Sequence, residues 1–411
     1  MAIIAPFKAI RPSREQASTI AALPYDVYSR KEAYEKVKEQ PGSFLAIDRP
    51  ETQFAEDVDM YSQQVYEKAR DMLNDWMVEG RFVQDDAPVY YVYELTMDGR
   101  SQTGIVACAS IDDYVSGKIK KHENTRAEKE ADRINHVDTC SAQTGPIFLA
   151  YRASGTVSGI VSKVKTTAPL YDFVAEDGIA HRCWVIRDMM DLALIATAFD
   201  KMDSIYIADG HHRAASAVKV GLKRREENPG YTGKEEFNYF LSVLFPDNEL
   251  KIFDYNRVVK DLNGLAPEEL LTELESTVDI VETSSSAIRP EKKGQWSMLL
   301  EGQWYLCQVK DELLNDDPVE GLDVSLLQNL VLEPLLGIAD PKTDTRIDFV
   351  GGIRGLEELE KRCNEDCKIA FAMYPTSISE LFSVADAGLL MPPKSTWFEP
   401  KLRSGLFIHR I

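Results

Sequence analysis

Residues 204–221 constrain the fold more than any other part of the sequence, because they combine a strand, a turn and a helix without a gap. Residues 205–208 form an apolar run typical of a buried strand, and residues 214–220 form an alanine-rich helix. The turn between them is Asp209-Gly210, where glycine allows positive φ and lets a ligand approach closely. The start of the helix offers free N–H groups and the positive end of a dipole to an anion. The segment therefore predicts an anion-binding turn.

Three donor side chains follow the glycine: His211, His212 and Arg213. An arginine can hold two phosphate oxygens at once, and adjacent histidines beside it favour a functional turn. We therefore predict that Asp209, Gly210 and these three residues bind phosphate groups. The structural alternative is that Asp209 merely caps the helix while the two histidines are solvated. A zinc site is less favoured, because adjacent histidines at a turn point apart, and no metal ligand is predicted.

A second polar segment, residues 112–150, is rich in charged and amide side chains and lacks the apolar stripe that a surface helix needs. Phosphoryl transfer requires cations around the moving phosphoryl group and a carboxylate that orients or deprotonates the attacking hydroxyl. The segment supplies cations, a carboxylate and a neutral donor. The candidate catalytic residues are Lys121, His122, Glu123 and, from the turn, His211, and Arg126 joins the phosphate-binding residues. For the run from Lys118 to Arg126 the alternative is a solvated charged loop.

Four further residues are candidates for binding a small substrate: Asp26, Asn124, Thr144 and Arg257. Asp26 follows an aromatic residue and can bind an amine, and it also competes with Glu123 as the base. Thr144 can hydrogen-bond a ligand, although turn chemistry alone explains it. Arg257 pairs either with a substrate carboxylate or with a structural aspartate. The basic, aromatic segment 394–403 either closes over the site or docks the C-terminus on the core.

The net charge argues against nucleic acid as a ligand but not against a small phosphorylated compound. Lys and Arg number 47 and Asp and Glu number 67, which gives a net charge of −20, whereas affinity for phosphate polymers rests on positive surface. The composition excludes a protein that binds nucleic acid through a positive surface. It is compatible with a local basic pocket for a small phosphorylated ligand. Strands and helices alternate irregularly, which predicts a mixed α/β (α+β) fold. We divide it into residues 1–264, the phosphate-binding and catalytic region, and a C-terminal α/β region, residues 265–411.

The sequence also predicts a cytoplasmic protein with no membrane partner. It has no stretch of about 18 uncharged apolar residues, and Pro6 and Lys8 interrupt the short apolar start too early for a signal segment. The six cysteines are scattered, as expected for reduced thiols. The expected partner is a small-molecule substrate, and the sequence is compatible with a homo-oligomer.

The Asp-Gly-His-His-Arg turn resembles the phosphate-binding motif of the ParB/sulfiredoxin-like superfamily, which includes nucleotide-dependent kinases acting on free serine. Nearly end to end, the chain resembles the bacterial and archaeal family called domain of unknown function 1015. The motifs that carry this resemblance are Pro24-Tyr25-Asp26-Val27, Lys120-Lys121-His122-Glu123-Asn124-Thr125, Gln143-Thr144-Gly145-Pro146, residues 206–213, Asp254-Tyr255-Asn256-Arg257 and residues 392–399.

The resemblance implies a ParB/sulfiredoxin-like core that phosphorylates a small hydroxyl compound. ATP with Mg²⁺ is the implied donor, free L-serine is the first candidate acceptor, and Glu123 is the implied base. A sulfiredoxin would need a cysteine in the turn, which has none, and the net charge argues against the DNA-binding branch. Two other classes stay open: a nucleotide-binding regulatory module without acceptor turnover, and a nucleotide or phosphodiester hydrolase.

Overall fold

The structure, a computed structural model, describes residues 2–125 and 127–411. By backbone contact the chain forms two compact units. Unit 1 comprises Met1–Leu250 together with Pro400–Ile411, and unit 2 comprises Lys251–Glu399. The chain therefore leaves unit 1 after Leu250, and its last residues return to it. The functional division at residue 264 stays a prediction; the boundary drawn by contact precedes it.

Short and long strands build the sheets of both units. In chain order they are β1 Ile4–Ala5, β2 Ile10–Pro12, β3 Phe82–Gln84, β4 Tyr90–Met97, β5 Arg100–Ser110, β6 Ile119–Lys120, β7 Ala142–Gln143, β8 Ile147–Tyr151, β9 Tyr171–Val174, β10 Ala180–Ile186, β11 Ile205–Asp209, β12 Tyr239–Pro246, β13 Ile252–Phe253, β14 Tyr255–Val259, β15 Val278–Ser284, β16 Gln295–Leu300, β17 Gln303–Val309, β18 Ile347–Gly351, β19 Ile369–Met373, β20 Trp397–Phe398 and β21 His409–Arg410. Strands β13 to β20 belong to unit 2.

The helices are distributed over both units. In chain order they are α1 Ala17–Ile20, α2 Arg30–Glu39, α3 Leu45–Asp48, α4 Gln63–Val78, α5 Ile111–Val115, α6 Ala127–Cys140, α7 Gly155–Lys165, α8 Met189–Asp200, α9 His211–Glu227, α10 Pro267–Leu274, α11 Asp323–Leu327, α12 Glu357–Glu365 and α13 Ile378–Asp386. Within the described ranges, none of them has the length and apolar character needed to cross a membrane. Helices and sheets in one chain confirm the mixed α/β class, while the ParB/sulfiredoxin-like label stays a prediction.

Local sequence explains several of these elements. Helix α2 begins with a capping box, in which the Ser29 hydroxyl accepts the N–H of Glu32 and the Glu32 carboxylate accepts the N–H of Ser29. Strands β4 and β5 are joined at Asp98 and Gly99, which both have positive φ, as a tight hairpin turn requires. The elements therefore begin and end where the residue types favour it.

The large sheet of unit 1 has the strand order β6-β11-β8-β12-β5-β4-β10-β9, and β1 pairs with β5. Strand β11 runs parallel to β6, and β12 runs parallel to β8. Apolar side chains such as Ile207 and Leu149 are fully buried between this sheet and its helices. In the first parallel pair, Ile205 lies opposite Ile119. Both strands of that pair therefore end at the same edge of the sheet.

Helix α6 is the element that the sequence analysis missed. Residues 127–140 carry no apolar stripe, yet they form a helix whose buried face includes Glu130, Arg133 and His136. Polar side chains can be buried when each finds a partner. Arg133 pairs with Asp132 at 2.9 Å, and His136 Nε2 lies 2.9 Å from the carbonyl oxygen of Ile47. The helix was not predicted because its buried polar side chains pair inside unit 1 and leave no apolar stripe in the sequence.

Unit 2 is built on its own sheet, with the strand order β15-β17-β16-β19-β14-β18. Its neighbouring strands are antiparallel throughout. Leu359 of α12 packs in the core of this unit with Val258 and Ala370 from the sheet. Strand β14 carries Arg257, one of the predicted substrate-binding residues.

Candidate functional site

Two neighbouring parallel strands bring the predicted turn and the charged segment to one edge of the unit 1 sheet. Strand β6 ends at Lys120 and strand β11 ends at Asp209. Because the strands are parallel, the chain leaves both at the same edge. The His122 ring, two residues beyond β6, lies next to the backbone of Ile207 in β11. The structure thus joins two segments that the sequence analysis treated separately.

The turn at Gly210 has a left-handed backbone, with φ 93° and ψ 32°, directly before helix α9. Asp209 does not cap this helix, so the structural alternative for Asp209 is wrong: its Oδ1 accepts the N–H of Gly210 at 2.8 Å instead. A Cβ at Gly210 would lie 3.1 Å from Nη2 of Arg213. The guanidinium is therefore folded back against the glycine, at the end of the helix whose N–H groups have no partner within the helix.

Asp209 lies between two cations at this corner. Nη2 of Arg213 is 3.9 Å from Asp209 Oδ2, and Nζ of Lys401 is 3.3 Å from the same oxygen. Burial alone would raise the pKa of Asp209, but the charges of Lys401 and Arg213 outweigh it and hold that pKa well below its ordinary value. Nη1 of Arg213 also donates to the carbonyl oxygen of Pro146 at 2.5 Å. Two cations and one carboxylate leave these three side chains with a net positive charge.

Two buried imidazoles lie side by side next to this turn. The ring centroids of His122 and His211 are 4.6 Å apart with their planes at 90°, and the two residues are 2% and 6% exposed. Burial lowers the pKa of His122 to about 4. Burial and the neighbouring His122 lower the pKa of His211 well below its usual range. Both rings are therefore neutral at neutral pH, and within the described residues His122 Nδ1 and His211 Nε2 have no hydrogen-bond partner.

Glu123, the predicted base, lies beside the same pair. Its Oε2 is 3.9 Å from Nδ1 of His211, and its side chain is 47% exposed. Lys121 is exposed and close enough for its charge to contribute to the lowered pKa of His211. The half-exposed His212 contributes in the same direction, and Asn124 is exposed. The predicted catalytic residues therefore gather at the start of α9, while their roles stay predictions.

A pocket with about 430 Å³ of empty space, its open mouth included, adjoins Arg213. The lining residues come from separate segments of unit 1: Tyr25, Asp48, Arg133, His136, Val137, Gln143, Thr144, Gly145, Ile147, Arg213, Ala217 and Ser404.

The polar side chains of this pocket hold one another in place. The guanidinium carbon of Arg133 lies 4.1 Å from the ring centroid of Tyr25, and its Nε donates to Asp132 at 2.9 Å. Burial opposes the charge of Arg133, but Asp132 and its other neighbours raise the pKa, so the guanidinium stays charged. Burial raises the pKa of Tyr25 to about 12. Thr144, which is predicted to bind substrate, donates from Oγ1 to Asp48 Oδ1 at 2.8 Å. Its hydroxyl therefore already has a partner within the protein.

Four pocket residues were not predicted from the sequence: Asp48, Arg133, His136 and Ser404. Helical spacing does relate four buried positions of α6, namely Glu130, Arg133, Val137 and Cys140. A search for this spacing that accepted polar as well as apolar residues would have found the helix. Asp48 and Ser404 come from distant segments, and no local pattern in the sequence marks them.

Three further predicted residues are Asp26, Arg257 of unit 2 and Arg126. Asp26 is exposed in a single 3₁₀ turn, Tyr25–Val27, directly after the pocket residue Tyr25. Arg257 is buried in unit 2 and donates to the carbonyl oxygens of Tyr255 and Lys394, and burial lowers its pKa to about 10. Arg126 lies outside the described residues. The assignment of these residues to a ligand stays a prediction.

Comparison with known proteins assigns the family. A model of the family described as Protein of unknown function (DUF1015) matches residues 4–325. The chain belongs to this family. The match confirms the DUF1015 membership expected from the motifs in the sequence. No curated protein matches the chain.

Solved structures show only a distant likeness to this DUF1015 chain. A free serine kinase mutant in complex with ADP is 12% identical, with a TM-score of 0.36, over 74% of this chain and 92% of that one. The free serine kinase in complex with AMP is 13% identical, with a TM-score of 0.36, over 74% and 91%. SbnI with a C-terminal truncation, from Staphylococcus aureus, is 11% identical, with a TM-score of 0.37, over 74% and 86%. At these TM-scores the likeness carries no argument about chemistry.

Proposed function

We propose that unit 1 binds a nucleoside triphosphate by its phosphates at the start of α9 and transfers the terminal phosphoryl group to a small hydroxyl compound. ATP is the first candidate donor, and free L-serine is the first candidate acceptor. The observation that carries the proposal is the convergence, at the ends of two parallel strands, of the left-handed Gly210 turn and the buried pair His122 and His211.

Anion binding is supported by charge and by unpaired groups. The N-terminus of α9, a helix of 17 residues, carries the positive end of its dipole. The three side chains Arg213, Lys401 and Asp209 together are positive. A buried polar atom without a partner costs about 1–3 kcal/mol, and within the described chain both His122 and His211 carry such an atom. A phosphate ligand would offer partners at this corner.

The transfer needs a base and charge neutralisation. The acceptor oxygen bonds to the γ-phosphorus while the bond from that phosphorus to the bridging oxygen of ADP breaks, and the hydroxyl proton passes to a carboxylate. Glu123 is our first choice for this carboxylate because it lies beside His211, and Asp26 is the alternative. In residues 2–125 and 127–411 no group of three His, Cys, Asp or Glu side chains could hold a metal ion. We therefore expect Mg²⁺ to be held chiefly by the phosphates of ATP.

The pocket beside Arg213 is the proposed place for the acceptor. It presents the charged Arg133 and the protonated hydroxyl of Tyr25. Both are donors that suit an anionic or hydroxylated small molecule. Arg213 touches both this pocket and the phosphate turn. It therefore links donor and acceptor.

The test is to incubate the purified chain with ATP, Mg²⁺ and L-serine, followed by a screen of other small alcohols. Phosphorus NMR should show ADP and a phosphate monoester that form together and only when acceptor is present. Glu123→Gln should reduce turnover by about 10²-fold or more if Glu123 is the base. The matched control is Glu226→Gln, an exposed carboxylate at the other end of α9, which should leave turnover unchanged.

Other outcomes identify the competing functions. Nucleotide binding by calorimetry without turnover for any acceptor would identify a regulatory module. Nucleotide consumption that does not depend on acceptor would identify a hydrolase. Failure to bind ATP or ADP at all would overturn the proposal.

A further inference from the structure

We propose that Arg403 is a positioning residue of the site in unit 1: it holds the returning C-terminal segment so that Lys401 lies against Asp209 and Ser404 lines the pocket. Arg403 acts through these two neighbours and not on the ligand. Its importance for phosphate binding rests on the function proposed above, whereas the placement of Lys401 can be tested without any ligand.

The guanidinium of Arg403 links the segment to the edge of the large sheet. Its side chain is 4% exposed, its Nε donates to Nε2 of His181 at 3.2 Å, and its Nη2 donates to Oδ2 of Asp177. His181 lies on β10, and Asp177 lies in the turn between β9 and β10. Because β9 is the last strand in the sheet order, both partners belong to a hairpin at the sheet edge.

His181 is itself held in the protein interior. Its Nδ1 lies 2.8 Å from the hydroxyl oxygen of Tyr93 on β4, and its ring stacks on that of Phe173 at a centroid distance of 5.2 Å. An arginine only donates, so Nε2 of His181 is the acceptor for Arg403, and in the neutral ring Nδ1 donates to Tyr93. Burial and the charge of Arg403 lower the pKa of His181 to about 3, so the ring is neutral at neutral pH. Arg403 therefore binds a buried acceptor with a fixed position.

The residues on both sides of Arg403 reach the site. Two positions before it, Nζ of Lys401 lies 3.3 Å from Oδ2 of Asp209. One position after it, Ser404 lines the pocket that Arg213 also lines. Consecutive Cα atoms are only about 3.8 Å apart, so a movement of Arg403 also moves its neighbours.

The main chain near Arg403 is held on one side by backbone hydrogen bonds. Ser404 and Ala22 exchange two such bonds, of 2.8 Å and 3.2 Å. Over the part of the chain that the structure describes, the main-chain groups of Leu402 and Arg403 form no hydrogen bond with other main-chain groups. The position of Lys401, which precedes them, therefore depends on the side chains of Arg403 and of the buried Leu402.

Asp177 balances the charge of the buried guanidinium. Among the residues that the structure describes, it is the one carboxylate in an ion pair with Arg403. When one partner of a buried ion pair is removed, the other remains as an uncompensated charge. Without Asp177, Arg403 is more stable when it turns toward water, which draws it away from His181. Loss of Asp177 should therefore withdraw Lys401 from Asp209.

The experiment measures the pKa of Asp209 in the full chain carrying Asp177→Ala, followed by carbon NMR of the carboxyl group without ligand. Through its charge alone, removal of an anion elsewhere in the protein can only lower the pKa of Asp209. Withdrawal of the Lys401 cation raises that pKa, because Lys401 and Arg213 hold it low against burial. The two effects therefore differ in sign.

We expect Asp209 to titrate about one pH unit higher in Asp177→Ala than in the wild type. The Asp177 side chain is 40% exposed, so the variant should fold, which urea denaturation checks. The matched control is Asp172→Ala, a half-exposed carboxylate on β9 that pairs with Arg182 and not with Arg403. An unchanged or lower pKa of Asp209 in Asp177→Ala, or an equal rise in Asp172→Ala, overturns the proposal.

Substitution of Arg403 itself gives a second test. Arg403→Met should raise the pKa of Asp209 at least as much as Asp177→Ala does. Arg182→Met, which removes an exposed arginine of β10, is the control and should leave that pKa unchanged. A folded Arg403→Met with the wild-type pKa at Asp209 overturns the proposal, and if Arg403→Met does not fold, Asp177→Ala decides.

ADP binding distinguishes this proposal from the proposed function. Calorimetry with ADP should give an affinity about fivefold lower or less in Asp177→Ala than in the wild type, and Asp172→Ala should match the wild type. If ADP does not bind to the wild type but Asp209 titrates as expected, phosphate binding is wrong and the positioning of Lys401 stands. If ADP binds but the pKa of Asp209 does not rise in Asp177→Ala, only the positioning is wrong. Equal ADP affinity despite a higher pKa overturns the role of Arg403 in phosphate binding.

Discussion

Lys401 and Asp209, 192 residues apart in sequence, form a hydrogen bond in which Nζ lies 3.3 Å from Oδ2. The same oxygen lies 3.9 Å from Nη2 of Arg213. The returning segment Pro400–Ile411 thus supplies a cation to the turn that opens α9. The tail therefore contacts the turn for which phosphate binding is proposed, while its closing over a ligand stays a prediction.

Removing the Lys401 cation should raise the pKa of the Asp209 carboxyl group. In Lys401→Met the pKa of Asp209, followed by carbon NMR of its carboxyl group, should rise toward its ordinary value, since burial then acts against a weaker opposing charge. Lys201→Met, an exposed lysine at the end of α8, is the control and should leave that pKa unchanged. An unchanged pKa in Lys401→Met would show that Arg213 alone holds the carboxylate ionised.

Gly210→Ala should weaken both the fold and the phosphate site. Alanine at a φ of 93° costs about 1–2 kcal/mol, and its Cβ would lie 3.1–3.2 Å from the Nη2, Cζ and Nε atoms of Arg213. Urea denaturation should show the loss of stability, and calorimetry should show ADP affinity lower by about tenfold or more, because the guanidinium is displaced. Gly230→Ala has no atom near its Cβ and should change neither quantity.

Arg133→Met should destabilise unit 1 strongly. The guanidinium is buried, ion-paired with Asp132 and placed over the Tyr25 ring, so its loss removes the cation beside a mostly buried carboxylate that keeps only neutral donors such as the Tyr66 hydroxyl. We expect the free energy of unfolding to fall by about 3–5 kcal/mol, measured by urea denaturation. Arg70→Met removes an exposed arginine beside Asp71 and should leave the midpoint unchanged. A small effect at Arg133 would show that the polar face of α6 adds little stability.

Acid should destabilise the protein through its buried neutral histidines. Burial lowers the pKa of His122 to about 4 and that of His181 to about 3, below the unfolded value near 6.5. Between these pH values the unfolded chain binds more protons than the folded protein does. The free energy of unfolding therefore has its full value above about pH 6.5 and decreases by about 1.4 kcal/mol per pH unit for each histidine as the pH falls.

Urea denaturation between about pH 7 and pH 5 measures this slope. Proton NMR of His181, whose Nε2 accepts from Nε of Arg403 at 3.2 Å, should show a neutral ring at about pH 5. A protonated His181 at that pH, or stability independent of pH across the range, would contradict the prediction.

The strand, turn and helix around Gly210 could be predicted from the sequence, and β11, the left-handed Gly210 and α9 confirm them. They follow from short-range rules, namely an apolar run, a glycine and an alanine-rich stretch. Helix α6 could not be predicted in the same way. Its buried face contains Glu130, Arg133 and His136, and a rule that seeks apolar stripes finds none there.

The sequence by itself determined the membership in the DUF1015 family, the mixed α/β class and the glycine turn before α9, because motifs and residue types act over a few neighbouring positions. Only the tertiary structure decided that His122 and His211 meet, that Arg133 and Arg213 line one pocket, and that Lys401 reaches Asp209. Those contacts depend on the parallel pairing of β6 with β11 and on the return of the C-terminal segment to unit 1. Strand order and chain return are set by the packing of the whole core, which no local pattern encodes.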